Sequence, residues 1–171
     1  MSLPPQEWDR ADLATVRLLP STFAHLPGKV RVELERRGCT IPQTFLGGSP
    51  HNVVRGRFTA HEQLDWAILC SVNRSSSILV FRGGSPSEVA EIATSPDAAY
   101  LQVISELAEI GFSRAIGTVD AKYIREHHQE YGGPEPPTVL DHEGIDDAFA
   151  EKASVVWYWH HGRWLRLTGA D

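Results

Sequence analysis

The tightest constraint on the fold lies near the C-terminal end of the chain. Two β-branched and aromatic runs, Ser154–His160 (SVVWYWH) and Arg163–Thr168 (RWLRLT), are separated by only His161-Gly162. A two-residue hairpin connection leaves no slack between strands, so it fixes their register. His160 then faces Arg163, Trp159 faces Trp164, Tyr158 faces Leu165, Trp157 faces Arg166 and Val156 faces Leu167. Because side chains alternate along a strand, Val156, Tyr158, Leu165 and Leu167 share one face, which is plain core material. The opposite face carries Val155, Trp157, Trp159, Trp164 and Arg166, so three of the five tryptophans lie beside one arginine.

That second face reads in more than one way. As structure, it packs beneath another element, with Arg166 stacked on Trp157 as a cation–π pair. As a binding surface, Trp157, Trp159, Trp164 and Arg166 form an aromatic platform for sugar rings or for side chains of a protein partner. As an assembly device, it is buried in a symmetric homodimer.

Three further short runs carry strand signals: 52–59 (NVVRGRFT), 64–72 (LDWAILCSV) and 77–82 (SILVFR). Turn-forming AHEQ and NRSS segments separate them, which predicts an antiparallel meander. Both parities of the middle run are largely apolar, so it is expected to be central and covered on both sides. Leu26 to Arg37 reads as a helix, with Pro27 in its first turn and Gly38 just past its end. Ser85, Pro86 and Glu88 form a capping-box pattern that predicts a short helix through Ala93. Strands are expected over 100–104, 112–116 and 138–141, a second main helix over 120–131, and an acidic turn after 141. Residues 1–20 read as a lead-in with Trp8, Leu13, Val16, Leu18 and Leu19 as docking contacts. Strands and helices do not alternate regularly. The expected fold is therefore α+β, a single domain over 1–171 with one curved, largely antiparallel sheet of about six or seven strands and two main helices.

Candidate chemistry is sparse. Asp141, Glu143 and Asp146 surround Gly144 in an acidic stretch able to offer oxygen ligands to a divalent cation, but the spacing does not match an EF-hand loop. With a histidine from His127-His128 they would make a small metal-assisted hydrolase site. Neither of those histidines has another three or four residues away, so helical metal-ligand spacing is absent. No nucleophile elbow, phosphate loop or zinc pattern is present, and no cofactor is called for. With 16 basic and 22 acidic residues the chain has a formal net charge of −6, unlike a nucleic-acid binder with its basic stripe. No apolar run approaches a membrane span, and no signal peptide opens the sequence. Cys39 and Cys70 are either two buried thiols, as in cytoplasmic proteins, or one disulfide closing a loop of about 32 residues, worth roughly 3–4 kcal/mol.

The strings RRGCTIPQ (36–43), NVVRGRF with DWAILCS (52–71) and EKASVVWYW with GRWLRLTGAD near the C-terminus resemble small bacterial proteins without assigned function, many of them exported. That resemblance implies a single domain, an extracytoplasmic location and pairing of Cys39 with Cys70. The segment 56–69 (GRFTAHEQLDWAIL) is similar to the strand–loop–strand frame of FG-GAP repeats, kept by Gly56, Phe58, Asp65 and Ala67. Arg57, Thr59 and His61 stand where that family places acidic calcium ligands. The sequence thus predicts a non-catalytic, extracytoplasmic binding module acting through the tryptophan face.

Overall fold

The computed structural model describes residues 2–132 and 140–168. The lead-in is more ordered than expected. Pro5–Ala14 forms helix α1, opened by a proline in its first turn, where the missing N–H costs nothing. Trp8 packs into the core, whereas Leu13, Val16 and Leu19 stay exposed. Charge also holds α1 down. Arg17, in the short strand β1 (Arg17–Leu18), donates to the carboxylates of Asp12 at 2.8 Å and of buried Asp97 at 2.9 Å. Asp97 also accepts the hydroxyls of Ser71 and Ser76, so its charge is matched by four donors from elsewhere in the chain.

Helix α2 (Gly28–Arg37) lies where the Val30/Leu34 spacing puts it, with both side chains fully buried. It ends at Gly38, whose φ of 76° is a left-handed conformation open to glycine at little cost. Arg36 and Arg37 close on Glu33 and hold its carboxyl down at about 2. Cys39, just beyond, is disulfide-bonded to Cys70. Strand β2 (Ile41–Pro42) then pairs antiparallel with β1.

The expected meander forms: β3 (Val53–Gly56), β4 (Asp65–Val72) and β5 (Ser75–Phe81) pair antiparallel in sequence order. Strand β4 is buried along its length up to Ser71. The capping-box helix does not form. Val89–Pro96 is strand β6, which extends the sheet to four strands by pairing Val89 with Phe81 and Ile92 with Ile78. Local capping chemistry loses there because the chain beside an open sheet edge gains a full ladder of backbone bonds. The Ser85 hydroxyl instead accepts the Ser87 amide within a turn.

Strands β7 (Leu101–Val103) and β8 (Ile110–Phe112) form a two-stranded ladder. The run expected over 112–116 is thus divided, and its second half belongs to β9 (Arg114–Val119). Helix α3 (Ala121–Tyr131) starts where Asp120 accepts the Tyr123 amide at 2.7 Å. Of the strand expected over 138–141, residues 138–139 lie outside the described residues and Asp141 is not in a strand. The acidic segment is not simply a turn: Gly144–Phe149 is strand β10. Strands β11 (Ala153–His160) and β12 (Arg163–Thr168) form the hairpin in the register deduced above, from Trp159 opposite Trp164 to Val156 opposite Leu167.

The fold is α+β and antiparallel throughout, but its strands do not make one curved sheet. Among the described residues they form two four-stranded sheets, ordered β3-β4-β5-β6 and β12-β11-β10-β9, plus the β1-β2 and β7-β8 ladders, with three α-helices rather than two. Three apolar layers explain the division. Trp66, Ile68, Leu79 and Phe81 on one face of the first sheet pack against Val30 and Leu34 of α2. Ala67, Leu69, Ile78 and Val80 on its other face meet Ile116 and Ile145 of the second sheet. Val156, Tyr158, Leu165 and Leu167 on the far face of the second sheet pack on Ile124 of α3. The order of layers is helix, sheet, sheet, helix. A single sheet would leave one of the two apolar faces of β4 or β11 without a partner. Among the described residues no helix is long and apolar enough to cross a membrane.

Candidate functional site

The two sheets meet along two seams. At the β3/β9 seam, Asn52, held at φ 71°, splices them with its side-chain amide. Its Nδ2 donates to the carbonyls of Arg114 at 3.0 Å and Pro42 at 2.8 Å, and its Oδ1 accepts the Ile116 amide at 2.9 Å. At the seam between β6 and the β11–β12 hairpin lie two adjoining depressions of about 280 and 300 Å³. Ser95, Tyr100, Asp147 and Val155 line both, and Trp157 and Arg166 form one wall.

The floor of this groove is polar and fully engaged. Arg114 and Asp147, both buried, make a two-pronged ion pair at 2.9 Å through Nε and Nη2. Arg114 also donates to the carbonyls of Ser76 and Ala93 and stacks 4.7 Å from the Tyr100 ring. The Ala93 carbonyl is available because β6 bulges there, with Ala93 at φ 59° and the register slipping between Ser76 and Ile78. The Trp157 indole N–H donates to Asp147 Oδ2 at 3.3 Å. The other face of the cluster is closed by Phe149, stacked on Tyr100 at 5.4 Å. Burial raises the Tyr100 phenol above its ordinary value.

Each tryptophan of the hairpin is half-buried, because their face is the one turned to the first sheet. Trp157 and Trp164 pack against the central core. Trp159 meets the Trp164 edge at 5.7 Å and is covered by the Arg82 guanidinium at 5.1 Å. Arg166 does not stack on Trp157. Among the described residues, the cation–π pairs are Arg55–Trp66, Arg82–Trp159, Arg114–Tyr100 and Lys152–Phe149. Arg166 is exposed, and among the described residues no carboxylate or carbonyl holds it.

The acidic stretch is taken apart by the β-strand it forms. Asp141 is exposed, and its backbone carbonyl lies 3.0 Å from His61 Nδ1. Glu143 accepts the Arg57 amide at 2.9 Å. Asp146 and Asp147 are consecutive on β10 and so point to opposite faces. Asp147 joins the groove, while Asp146 is hydrogen-bonded by Ser154 and raised in pKa by burial. Among the described residues, no group of three His, Cys, Asp or Glu side chains could hold a metal ion. His127 is buried against the Tyr123 ring, and His160 is buried as well.

The segment 56–69 is organised around one buried carboxylate. Buried Asp65 accepts the amides of Phe58, Thr59 and Gly83, the Thr59 hydroxyl and the Gln63 side-chain amide. That carboxylate organises the loop from within. Gly56 is needed because a Cβ there would lie 2.6 Å from the Phe58 ring. A separate, larger cleft of about 480 Å³ lies between α1, the 43–51 loop and the β7-β8 ladder. Its polar groups engage each other. Gln43 and His51 bond reciprocally, and the Thr44 amide donates to His51 Nε2 at 2.9 Å. The remaining walls are apolar, among them Val16, Phe45, Ile110 and Phe112.

Comparison with known proteins adds no assignment. No family model, curated protein or solved structure matches this chain.

Sequence reasoning found Trp157 and Arg166 but missed Tyr100, Arg114 and Asp147. A signal existed for the last two. Arg114 shares the inward parity of Ile116 on β9, and Asp147 that of Ile145 on β10. A charge at an inward position on each of two strands is the mark of a buried pair.

Proposed function

We propose that this chain is a non-catalytic binding domain whose ligand occupies the groove between β6 and the β11–β12 hairpin. The observation that carries this reading is the contrast within the groove between a satisfied floor and an unsatisfied wall. Asp147 is held by Arg114 and by the Trp157 indole, so it stands as a structural acceptor rather than a proton-transfer group. Arg166, directly opposite Trp157 across the hairpin, offers an exposed guanidinium on the groove wall. Binding sites of this kind pair aromatic surface with a few placed polar groups in a few hundred cubic ångströms. An extracytoplasmic setting, implied by the resemblance noted above, suits such a module and the disulfide it carries.

The test fills the groove from its rim. Ser95 is half-buried and lines both depressions. Calorimetric titration of the full chain with a panel of soluble oligosaccharides and peptides is compared with the same titration of Ser95→Trp. Binding that the variant removes while its melting temperature stays within about 2 °C of the parent supports the reading. Binding that survives the substitution unchanged overturns it.

A further inference from the structure

Resting on that reading, we infer that the groove takes an acidic sugar: a hexuronate unit of a glycan, its ring face on Trp157 and its carboxylate on Arg166. Among the described residues the one carboxylate in the groove, Asp147, receives Arg114 twice and Trp157 once. Its acceptor capacity is thus largely filled. The hydroxyl of Thr94, on the same rim, is paired with Ser77 at 2.8 Å. What remains to meet a ligand is the Arg166 guanidinium, the Tyr100 hydroxyl, and the Ser95 hydroxyl with only a long 3.5 Å contact to the Pro96 carbonyl. Arg166 can only donate, and Tyr100 and Ser95 donate readily. The complement of such a set is rich in acceptors and carries negative charge.

Geometry narrows the class. Trp157 and Arg166 are directly opposed across the hairpin. Opposed residues have Cβ atoms about 5 Å apart. A ligand must therefore present a flat apolar face and an anionic group at the edge of that same face. A hexuronate does this, because its carboxylate is attached to a ring carbon and its C–H bonds form an apolar face. Its ring hydroxyls also supply acceptors for Tyr100 and Ser95. A planar carboxylate is the partner that a guanidinium fork matches with two parallel bonds. An acidic peptide satisfies Arg166 but brings no rigid ring whose face and charge are held at that spacing, and a neutral sugar leaves Arg166 unmatched.

The experiment titrates the full chain by calorimetry with an oligogalacturonate, a neutral hexose oligosaccharide of equal length and a glutamate-rich peptide. Arg166→Ala, Arg166→Lys and Ser95→Trp are measured in parallel. Arg166 is exposed and makes no hydrogen bond or ion pair among the described residues, so its variants are expected to fold with unchanged melting temperature. The expected result is oligogalacturonate binding about tenfold or more tighter than the neutral sugar. Arg166→Ala should remove that preference, Arg166→Lys should retain part of it, and added salt should weaken it. Equal affinity for neutral and acidic sugars, abolished by Ser95→Trp, overturns this inference and leaves the binding domain standing. Binding of the peptide without binding of the uronate does the same. Failure of all three probes to bind, or binding insensitive to Ser95→Trp and Arg166→Ala alike, overturns the inference, and the insensitive case removes the groove with it.

Discussion

At the β3/β9 seam one asparagine side chain closes the gap between the sheets with two hydrogen bonds to β9, and a third ties it to Pro42 of β2. At the β6 seam the link comes from further away: Arg114 reaches across from β9 to the Ala93 carbonyl, and a bulge in β6 makes that carbonyl available. Both devices use polar side chains to complete the backbone of the other sheet. They differ in what they leave behind. Asn52 is short and fills its seam. Arg114 is long and carries Asp147 and Tyr100 with it, and a groove remains above them. The lesson is that a sandwich can be fastened at its two sides by side chains of different length, and that the longer one here lies beneath a groove.

The comparison breaks most severely at Arg114. Arg114→Met removes one member of a buried ion pair and leaves the Asp147 carboxylate among apolar neighbours, for an expected loss of about 3–5 kcal/mol in urea unfolding. If the loss is below about 1 kcal/mol, Arg114 is not the fastener of the groove seam. Next comes Asn52. Asn52→Ala deprives the Ile116 amide and two carbonyls of their partner, for an expected cost of about 2–3 kcal/mol. Asn52→Gly tolerates the positive φ and should recover about 1 kcal/mol of that loss. An Asn52→Gly protein as unstable as Asn52→Ala would assign the whole effect to the splice and none to the backbone. The smallest effect belongs to Asp146. Its folded-state pKa is raised, so the native state binds more protons than the unfolded chain between the two values. Stability therefore falls as pH rises through that window. Asp146→Asn should flatten this slope and raise the melting temperature at pH 7 by about 1–2 °C. A steeper slope in the variant would mean that the carboxylate is stabilising as an anion.

Legibility in the sequence follows the range of the forces involved. The β11–β12 register was readable because a two-residue turn is a local constraint, and β4 because both its parities are apolar. The tryptophan face was readable as a face, yet its covering was not. What lies over Trp157 and Trp164 is the first sheet, contributed by residues at least sixty positions earlier. The helix expected after Ser85 failed for the same reason. Its capping residues are local, while the edge of β5 that recruits Val89 and Ile92 is a tertiary fact. The acidic stretch looked like a ligand cluster because proximity along the chain brings carboxylates together in a loop. A strand instead sends Asp146 and Asp147 to opposite faces. The groove combines both cases: Arg166 and Trp157 are joined by the hairpin, whereas Arg114 and Tyr100 reach it only through the packing of two sheets.

The Asn52 splice also bears on the order in which the chain comes together in time. Strands β3 to β6 pair with their nearest neighbours in sequence, so that sheet closes only short loops and can form early. Asn52 then waits for partners more than sixty residues away. Its bonds to β9 can close only when the later strands have been made and brought alongside. The Ile116 amide, whose proton that bond shields, should accordingly gain protection from hydrogen exchange late in refolding, after the amides of β4. It serves as a clock for the docking of the two sheets.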